Sequence, residues 1–213
     1  MDKYLEIKNV SKTIKHQRIL SDICMQVESG EIIGIKGING SGKTMLLRAV
    51  AGFIRYDGEI LFYGKQREAL ENTNEIGVLI EHQNFLNQFT GKENLELLEL
   101  LLPCKEEGEI DRVLYSVGLD PNDKRKYGKY SLGMKQRIAI AQAVMYRPKL
   151  ILLDEPTNGL DEHGMELLEQ LFKELKESGS TILVTSHDID FLKRVSDRCF
   201  MMKRGELIDE AQD

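Results

Sequence analysis

The amino-acid sequence predicts an α/β fold whose core is interrupted by a helical insertion in the middle of the chain. Two apolar runs, "EIIGIKG" and "KLILLDEP", are short and end in glycine or acidic residues, which is typical of buried strands. From about residue 84 to residue 146, apolar positions instead recur at helical spacing. Beyond that segment helix and strand patterns alternate to the end, which favours an α/β core.

The individual elements follow from the same patterns. Residues 4–10 and 18–27 are predicted strands, joined by the polar stretch "SKTIKHQR". "EIIGIKG" is a strand that runs into a glycine loop, and a helix follows and ends near Gly52. The later elements are, in order, the strands "GEILFYG" and "EIGVLI", the helices "GKENLELLELLL", "EIDRVLYSVGL" and "KQRIAIAQAVMY", the strand "KLILLDEP", and the alternating pieces "DEHGMELLEQLFKELKESG", "STILVTSH", "DIDFLKRVS" and "RCFMMKRG".

Composition narrows the class of protein. The 213 residues are 41% apolar and 30% charged, as in an ordinary globular chain. A formal net charge of -6 argues against nucleic acid as the main partner, because phosphate binding favours a basic surface. The N-terminus has no apolar signal region, and "LELLELLLP" is far shorter than the ~18–20 residues that span a bilayer. Any role at a membrane is therefore expected to depend on a partner chain.

A phosphate-binding loop is predicted at residues 37–44. The sequence "GINGSGKT" matches G-x-x-x-x-G-K-[ST] at every fixed position, between a predicted strand and a predicted helix. In such a loop backbone N–H groups surround phosphate oxygens, the lysine faces the β- and γ-phosphates, and the hydroxyl binds Mg²⁺. The predicted nucleotide-binding residues are Gly37, Ile38, Asn39, Gly40, Ser41, Gly42, Lys43, Thr44 and Met45.

Two carboxylates and a histidine are expected beside this loop. Asp154 and Glu155 end one apolar strand, and His187 follows another. Ligands of α/β sheets bind at the carboxyl ends of the strands, so these side chains should meet there. Asp154 is predicted to hold Mg²⁺, directly or through water, and Glu155 to accept a proton from the attacking water. His187 would hydrogen-bond either the γ-phosphate or that water.

The stretch "YSLGMKQR" predicts a helix N-terminus with an unusual charge. Ser131 is a good N-cap, and Gly133 leaves backbone N–H groups open. Lys135 and Arg137 then place two cations where the helix dipole favours an anion. Either an incoming anion explains these two cations, or both are simply solvated.

In this order the motifs resemble those of the nucleotide-binding subunit of an ATP-binding cassette (ABC) transporter, over essentially the whole chain. The resemblance implies one domain, 1–213, with a phosphate-loop NTPase core that has a mixed sheet and an antiparallel β subdomain. Residues 1–83 and 147–213 would form this core, and about 84–146 a helical subdomain with the signature motif. "NGLD", ending at Asp161, stands where the family has its D-loop.

Three positions depart from the family pattern. The signature usually reads Leu-Ser-Gly-Gly-Gln, and here Tyr130 is followed by Ser131, Leu132, Gly133 and Met134. Glu81 stands where the Q-loop glutamine is expected, with Gln83 two residues later as the alternative. Ile14 replaces the usual adenine-stacking tyrosine, and either it or His16 would cover the purine. The acidic Q-loop residue and "SLGMKQR" are similar to the ATPases of bacitracin-resistance and lantibiotic-immunity exporters.

The resemblance also implies a mechanism. ATP and Mg²⁺ would be bound, with Lys43, Glu155 and His187 as catalytic residues and Thr44, Asp154 and Glu81 as metal ligands. Two subunits, identical or different, would pair head to tail, so that each signature helix closes over the partner's γ-phosphate and Asp161 helps to couple the two sites. This cytoplasmic dimer would power separate membrane permeases, with export of an antimicrobial peptide or drug as the expected direction. The alternatives are a soluble ABC ATPase and an ATP-dependent regulatory module without a transport role.

Overall fold

The computed structural model describes residues 3–66, 76–81, 84–102 and 106–209. Gln83, the alternative Q-loop residue, lies outside these described residues. The elements in chain order are β1 (Lys3–Ile14), β2 (Gln17–Glu28), β3 (Ile32–Lys36), α1 (Lys43–Val50), β4 (Asp57–Phe62), β5 (Lys65–Gln66), β6 (Ile76–Leu79), α2 (Gly91–Glu99), α3 (Glu109–Ser116), α4 (Leu132–Val144), β7 (Leu150–Asp154), α5 (Glu162–Glu177), β8 (Thr181–Ser186), α6 (Ile189–Val195), β9 (Arg198–Lys203) and β10 (Glu206–Asp209).

Within the described part of the chain, the strands form two sheets. The larger has the order β10-β9-β3-β8-β7-β6, and the smaller has the order β2-β1-β4-β5. In the larger sheet the strands from β9 to β6 are parallel, and β10 pairs with β9 in the antiparallel direction. The smaller sheet is antiparallel throughout. The predicted fold class, a mixed sheet with an antiparallel part and a helical insertion, is therefore confirmed.

The order of the larger sheet determines which loops meet at its carboxyl edge. β8 lies between β3 and β7, and all three are parallel. The glycine loop leaves β3, Asp154 ends β7, and His187 follows β8 directly. The first four residues of β7 and all six residues of β8 are fully buried, because both faces of this sheet pack against other elements. The strands thus carry apolar residues inside and polar residues at the edge.

The N-terminal strands are longer than the sequence predicts. The polar stretch between residues 11 and 18 was expected to be a connection, but β1 and β2 continue through it and pair up to Ile14 and Gln17. The turn consists of Lys15 and His16, both with positive φ, 47° and 66°. Two-residue hairpin turns require such backbone angles to match the strand twist. This hairpin was not predicted, because the strand residues on either side of the turn are exposed and mostly polar.

The segment at 84–146 holds α2, α3 and α4 in its described ranges, 84–102 and 106–146. Thr90 starts α2 with a capping box, in which Thr90 Oγ1 accepts the Glu93 N–H and Glu93 Oε2 accepts the Thr90 N–H. The Tyr130 hydroxyl accepts the Gly91 N–H at 3.2 Å, which joins the start of α2 to the approach to α4. The division of the segment 84–146 from the core as a separate subdomain stays a prediction.

The helix α4 lies directly against the edge strand β6. A Cβ atom on Gly77 would overlap the carbonyl oxygen of Ala143, so the helix reaches the strand backbone itself. A side chain at this position would push helix and strand apart. The described residues contain no helix that is long and apolar enough to cross a membrane.

Candidate active site

The glycine loop after β3 has the backbone that phosphate binding requires. Gly42 has φ of 115°, where an L side chain is strained, and it directly precedes α1. Lys43, the first residue of α1, is buried, and its Nζ donates to the carbonyl oxygen of Gly37 at 2.6 Å. The lysine therefore folds back over its own loop, and its charge lies where a phosphate would enter.

The three predicted catalytic side chains meet in one cluster. Lys43 Nζ lies 3.3 Å from Glu155 Oε1, and His187 Nδ1 lies 2.8 Å from Glu155 Oε2. The His187 N–H also donates to Glu155 Oε2, at 3.1 Å. Glu155 is largely buried, whereas the imidazole is 65% exposed. The carboxylate is thus held between a cation and a histidine, and the histidine faces solvent.

Glu155 has an unusual backbone conformation. Its φ is 49°, in the left-handed region that non-glycine residues rarely adopt. Its N–H donates to the carbonyl oxygen of Thr185 at 3.1 Å, and its own carbonyl oxygen accepts the Asn158 N–H at 3.2 Å. Such a conformation persists where surrounding contacts over-determine it, and it is common in active sites.

The predicted metal ligands Thr44 and Asp154 are in contact. Thr44 Oγ1 donates to Asp154 Oδ2 at 2.7 Å, and Thr185 Oγ1 donates to Asp154 Oδ1 at 2.6 Å. Hydroxyl and carboxylate oxygens are the ligands that Mg²⁺ prefers, so this pair fits a magnesium ion shared with phosphate oxygens. Thr185 was not predicted as a site residue, although it is the register partner of Asp154 on the neighbouring strand.

A cavity of about 570 Å³ opens beside these residues. One wall is the tip of the β1–β2 hairpin, and the other is the phosphate loop with the end of β7. Its lining residues are Ile14, Lys15, Gln17, Ile19, Asn39, Gly40, Ser41, Gly42, Lys43, Thr44, Met45, Asp154 and Glu155. Of the two candidates for covering the purine, Ile14 lines the cavity and His16 does not. Lys15, Gln17 and Ile19 were not singled out from the sequence, because the hairpin itself was not recognised there.

The predicted third metal ligand, Glu81, lies elsewhere. It follows β6 and forms an ion pair with Arg48 of α1, with 60% of its side chain exposed. It lines a separate cleft of about 340 Å³ between the end of β6 and α4. In the structure Glu81 therefore pairs with Arg48, one turn along α1 from Thr44, and its role as a metal ligand stays a prediction.

The signature residues form the start of α4. Ser131 is the N-cap, and its Oγ accepts the Met134 N–H at 3.2 Å. Leu132 is 67% exposed, and a Cβ atom on Gly133 would lie 2.7 Å from the carbonyl oxygen of Gly159. The start of the signature helix therefore packs on the loop that follows β7.

The two cations behind the signature have partners within the chain. Arg137 Nη2 bonds Asp161 Oδ1 at 2.7 Å, and its Nη1 donates to the carbonyl oxygen of Val117 at 3.2 Å. The Lys135 ammonium lies 5.3 Å from the centre of the Tyr127 ring, a cation–π contact. For Arg137 the explanation by solvation is wrong, because its side chain is 13% exposed and is bound to Asp161. The explanation by an incoming anion stays a prediction.

Asp161 is the N-cap of α5. Its Oδ1 accepts the Gly164 N–H at 2.9 Å, and this bond, together with Arg137, holds the pKa of Asp161 below its usual range. The D-loop carboxylate, which the resemblance assigned to coupling between subunits, is therefore bonded to α4 and α5 of its own chain.

Comparison with known proteins decides the family. The model of the ABC transporter family matches residues 20–158. The chain belongs to the ABC transporter family. As an ABC ATPase it is the ATP-binding subunit of a transporter, and it hydrolyses ATP. The matched range contains the phosphate loop, the signature residues and the end of β7, whereas the hairpin residues that line the cavity precede it: Ile14, Lys15, Gln17 and Ile19.

Relatives and solved structures support the same assignment. The bacitracin transport ATP-binding protein BcrA of Bacillus licheniformis is 34% identical over 99% of this chain and 70% of its own length. The lantibiotic transport ATP-binding protein SrtF of Streptococcus pyogenes is 32% identical over 98% of this chain and 90% of its own. The ABC ATP-binding cassette MJ0796, solved as a post-hydrolysis dimer with ADP and phosphate, superimposes with a TM-score of 0.85, at 29% identity over 95% of this chain and 96% of that one.

Proposed function

We propose that this ATPase binds ATP with Mg²⁺ in the 570 Å³ cavity, pairs head to tail with a second ATPase subunit, and drives separate permeases in the cell membrane. The observation that carries the proposal is the meeting of Lys43, Thr44, Asp154, Glu155 and His187 at one sheet edge. Lys43 supplies a positive charge for the phosphates, and Thr44 and Asp154 supply ligands for Mg²⁺. Glu155 supplies a base, and His187 supplies an imidazole that forms hydrogen bonds.

The catalytic cluster is arranged to respond to the nucleotide. Lys43 is shared between the carbonyl oxygen of Gly37 and the carboxylate of Glu155. A γ-phosphate entering the loop offers Lys43 a stronger anionic partner, and Glu155 is then released to face the attacking water. His187, already bonded to Glu155, holds that carboxylate in orientation.

The phosphoryl group would be stabilised from several sides. Backbone N–H groups of the phosphate loop and the N-terminus of α1 would face the phosphates. Thr44 and Asp154 would hold Mg²⁺, which neutralises charge on the phosphate oxygens. In the dimer, Ser131 and the Gly133 N–H of the partner's signature helix would cover the γ-phosphate. Charge-assisted contacts of this kind favour the closed dimer only while the γ-phosphate is present.

The proposed cargo is a peptide antibiotic or a related drug, and the proposed direction is export. Two relatives over nearly the whole chain are named for bacitracin and lantibiotic transport. The acidic Glu81 at the Q-loop position and the "SLGM" signature suggested the same group from the sequence. The ATPase would then lie on the inner face of the membrane, attached through its permeases.

The partner is tested by co-purification with a tagged chain from detergent-solubilised membranes of its source cell. We expect a multi-span integral membrane protein in defined stoichiometry, and phosphate release from Mg²⁺-ATP by the complex. Recovery of the chain only from the soluble fraction, with no membrane protein attached, would argue for one of the soluble alternatives. An inactive control with Glu155 replaced by Gln should retain the same partner.

The signature helix is tested by comparing Ser131→Ala with Met134→Ala. We expect Ser131→Ala to reduce ATP-driven dimerisation and turnover roughly tenfold or more, because Ser131 supplies a donor at the phosphate. Met134→Ala should have a much smaller effect on both, since Met134 gives the cap only its backbone N–H and its apolar side chain packs against the core. Turnover and dimerisation are measured together with the melting temperature, because Ser131 also caps α4. Equal losses in both variants would count against the proposed contact.

A further inference from the structure

The side chain of Gln136 crosses from the signature helix to the catalytic segment. Gln136 lies on the second turn of α4, and its Nε2 donates to the carbonyl oxygen of Pro156 at 3.1 Å and reaches that of Glu155 at 3.4 Å. The side chain is part-buried, so the bonds are sheltered from water. The side-chain amide of Gln136 thus bonds two consecutive backbone carbonyl groups, those of Glu155 and Pro156.

This contact acts on a residue with a demanding conformation. The φ of 49° at Glu155 turns the chain sharply where β7 ends, and it aims the carboxylate back at Lys43 and His187. Thr185 holds the N–H side of Glu155. Gln136 holds the carbonyl side, and it does so from the helical segment rather than from the sheet. The position of the carboxylate therefore depends on where α4 lies.

Two further contacts fix α4 to the same stretch of chain. Gly133 packs on the carbonyl oxygen of Gly159, and Arg137 bonds Asp161. Among these α4 residues, Gln136 is the one that bonds the catalytic residue Glu155 itself. The first two turns of α4 are therefore bonded to residues 155–161 through three residues, and Ser131 at the start of the helix lies at the same end.

We propose that Gln136 is a positioning residue that couples the two nucleotide sites. When the partner subunit's ATP binds at Ser131 and Gly133, α4 is drawn to its closed position, and Gln136 sets the backbone of Glu155 so that the carboxylate meets its water. This inference rests on the proposed head-to-tail dimer. The link between one subunit's signature helix and the base of the same subunit is thereby assigned to an amide that does not line the 570 Å³ cavity.

The test replaces Gln136 with Met, which keeps the length of the side chain and removes the donor. The matched control is Gln142→Met on the same helix, because the side-chain oxygen of Gln142 is buried without a hydrogen-bond partner. For Gln136→Met we expect kcat for ATP to fall about tenfold or more, since small displacements of a catalytic group are costly. The KM for ATP and the melting temperature should stay close to those of the parent, and Gln142→Met should match the parent in all three.

A second measurement distinguishes an effect on the position of Glu155 from an effect on the assembly of the dimer. In a Glu155→Gln background, Gln136→Met should leave ATP-driven dimerisation unchanged, because Ser131 and Gly133 are intact. An unchanged kcat would overturn the inference. Parallel losses in KM, melting temperature and kcat would also overturn it, because they would mark Gln136 as a packing residue.

The outcome of the dimer measurement itself distinguishes this inference from the proposed function. Failure of Glu155→Gln alone to dimerise with ATP would contradict the head-to-tail dimer and, with it, the coupling between sites. A tenfold fall in kcat in Gln136→Met would then still support the positioning of Glu155 within one subunit.

Discussion

Replacing Glu155 with Gln is expected to lower ATP turnover at least about a hundredfold while ATP binding is retained. Glutamine keeps the size of the side chain but cannot accept the proton of the attacking water. The neutral amide also cannot form an ion pair with Lys43, which lies 3.3 Å from the carboxylate and becomes more available to the γ-phosphate. We therefore expect the variant to accumulate as an ATP-bound dimer. Phosphate release and size-exclusion chromatography with Mg²⁺-ATP measure the two effects.

A matched control is Glu177→Gln, an exposed acid at the end of α5. It carries the same chemical change far from the cavity and should turn over ATP like the parent. If the Glu155 variant turned over at the parental rate, Glu155 would not be the base. The proton would then have to pass to another group, and His187 is the nearest one in the cluster.

Replacing Lys43 with Met is expected to weaken ATP binding by about a hundredfold, which corresponds to loss of a desolvated charge pair. Lys43 is buried against the phosphate loop, so its ammonium group would meet bound phosphates while it is shielded from water. The change also leaves the largely buried Glu155 without its cation, so the melting temperature of the nucleotide-free protein should fall by several degrees.

Isothermal titration with ATP measures the loss of affinity, and a thermal melt measures the loss of stability. Lys173→Met, an exposed lysine on α5, is the control and should change neither. Unchanged ATP affinity in the Lys43 variant would mean that backbone N–H groups alone hold the phosphates. An unchanged melting temperature would mean that His187 suffices to keep Glu155 stable.

Much of the catalytic edge could be predicted because parallel strands impose it. An apolar run that stops at a polar residue identifies a strand end, and parallel neighbours deliver their ends to one side. Asp154 and His187 were placed together in this way, although 33 positions separate them in the sequence. The hydroxyl of Thr185 was missed because only the register of β7 against β8 brings it to Asp154.

Other features depend on contacts that local sequence does not contain. The hairpin tip at Lys15 and His16 was hidden because its strands are polar at that end. β10 was not predicted, since its four residues alternate between exposed and half-buried and pair only with β9. Arg137 was interpreted from its place on a helix, whereas its actual partner, Asp161, is 24 residues further along the chain. In each case tertiary pairing outweighed local pattern.

The close approach of α4 to β6 at Gly77 provides a point about which α4 can pivot. Backbone touches backbone there, at the end of α4 that is remote from Ser131. With a rise of about 1.5 Å per residue, the helix forms a lever of roughly 18 Å between Ala143 and Ser131. A tilt of α4 by about 10° about this point displaces the signature end of the helix by about 3 Å, roughly the length of one hydrogen bond. A small rotation at the sheet edge is therefore enough to make or break a contact with a phosphate.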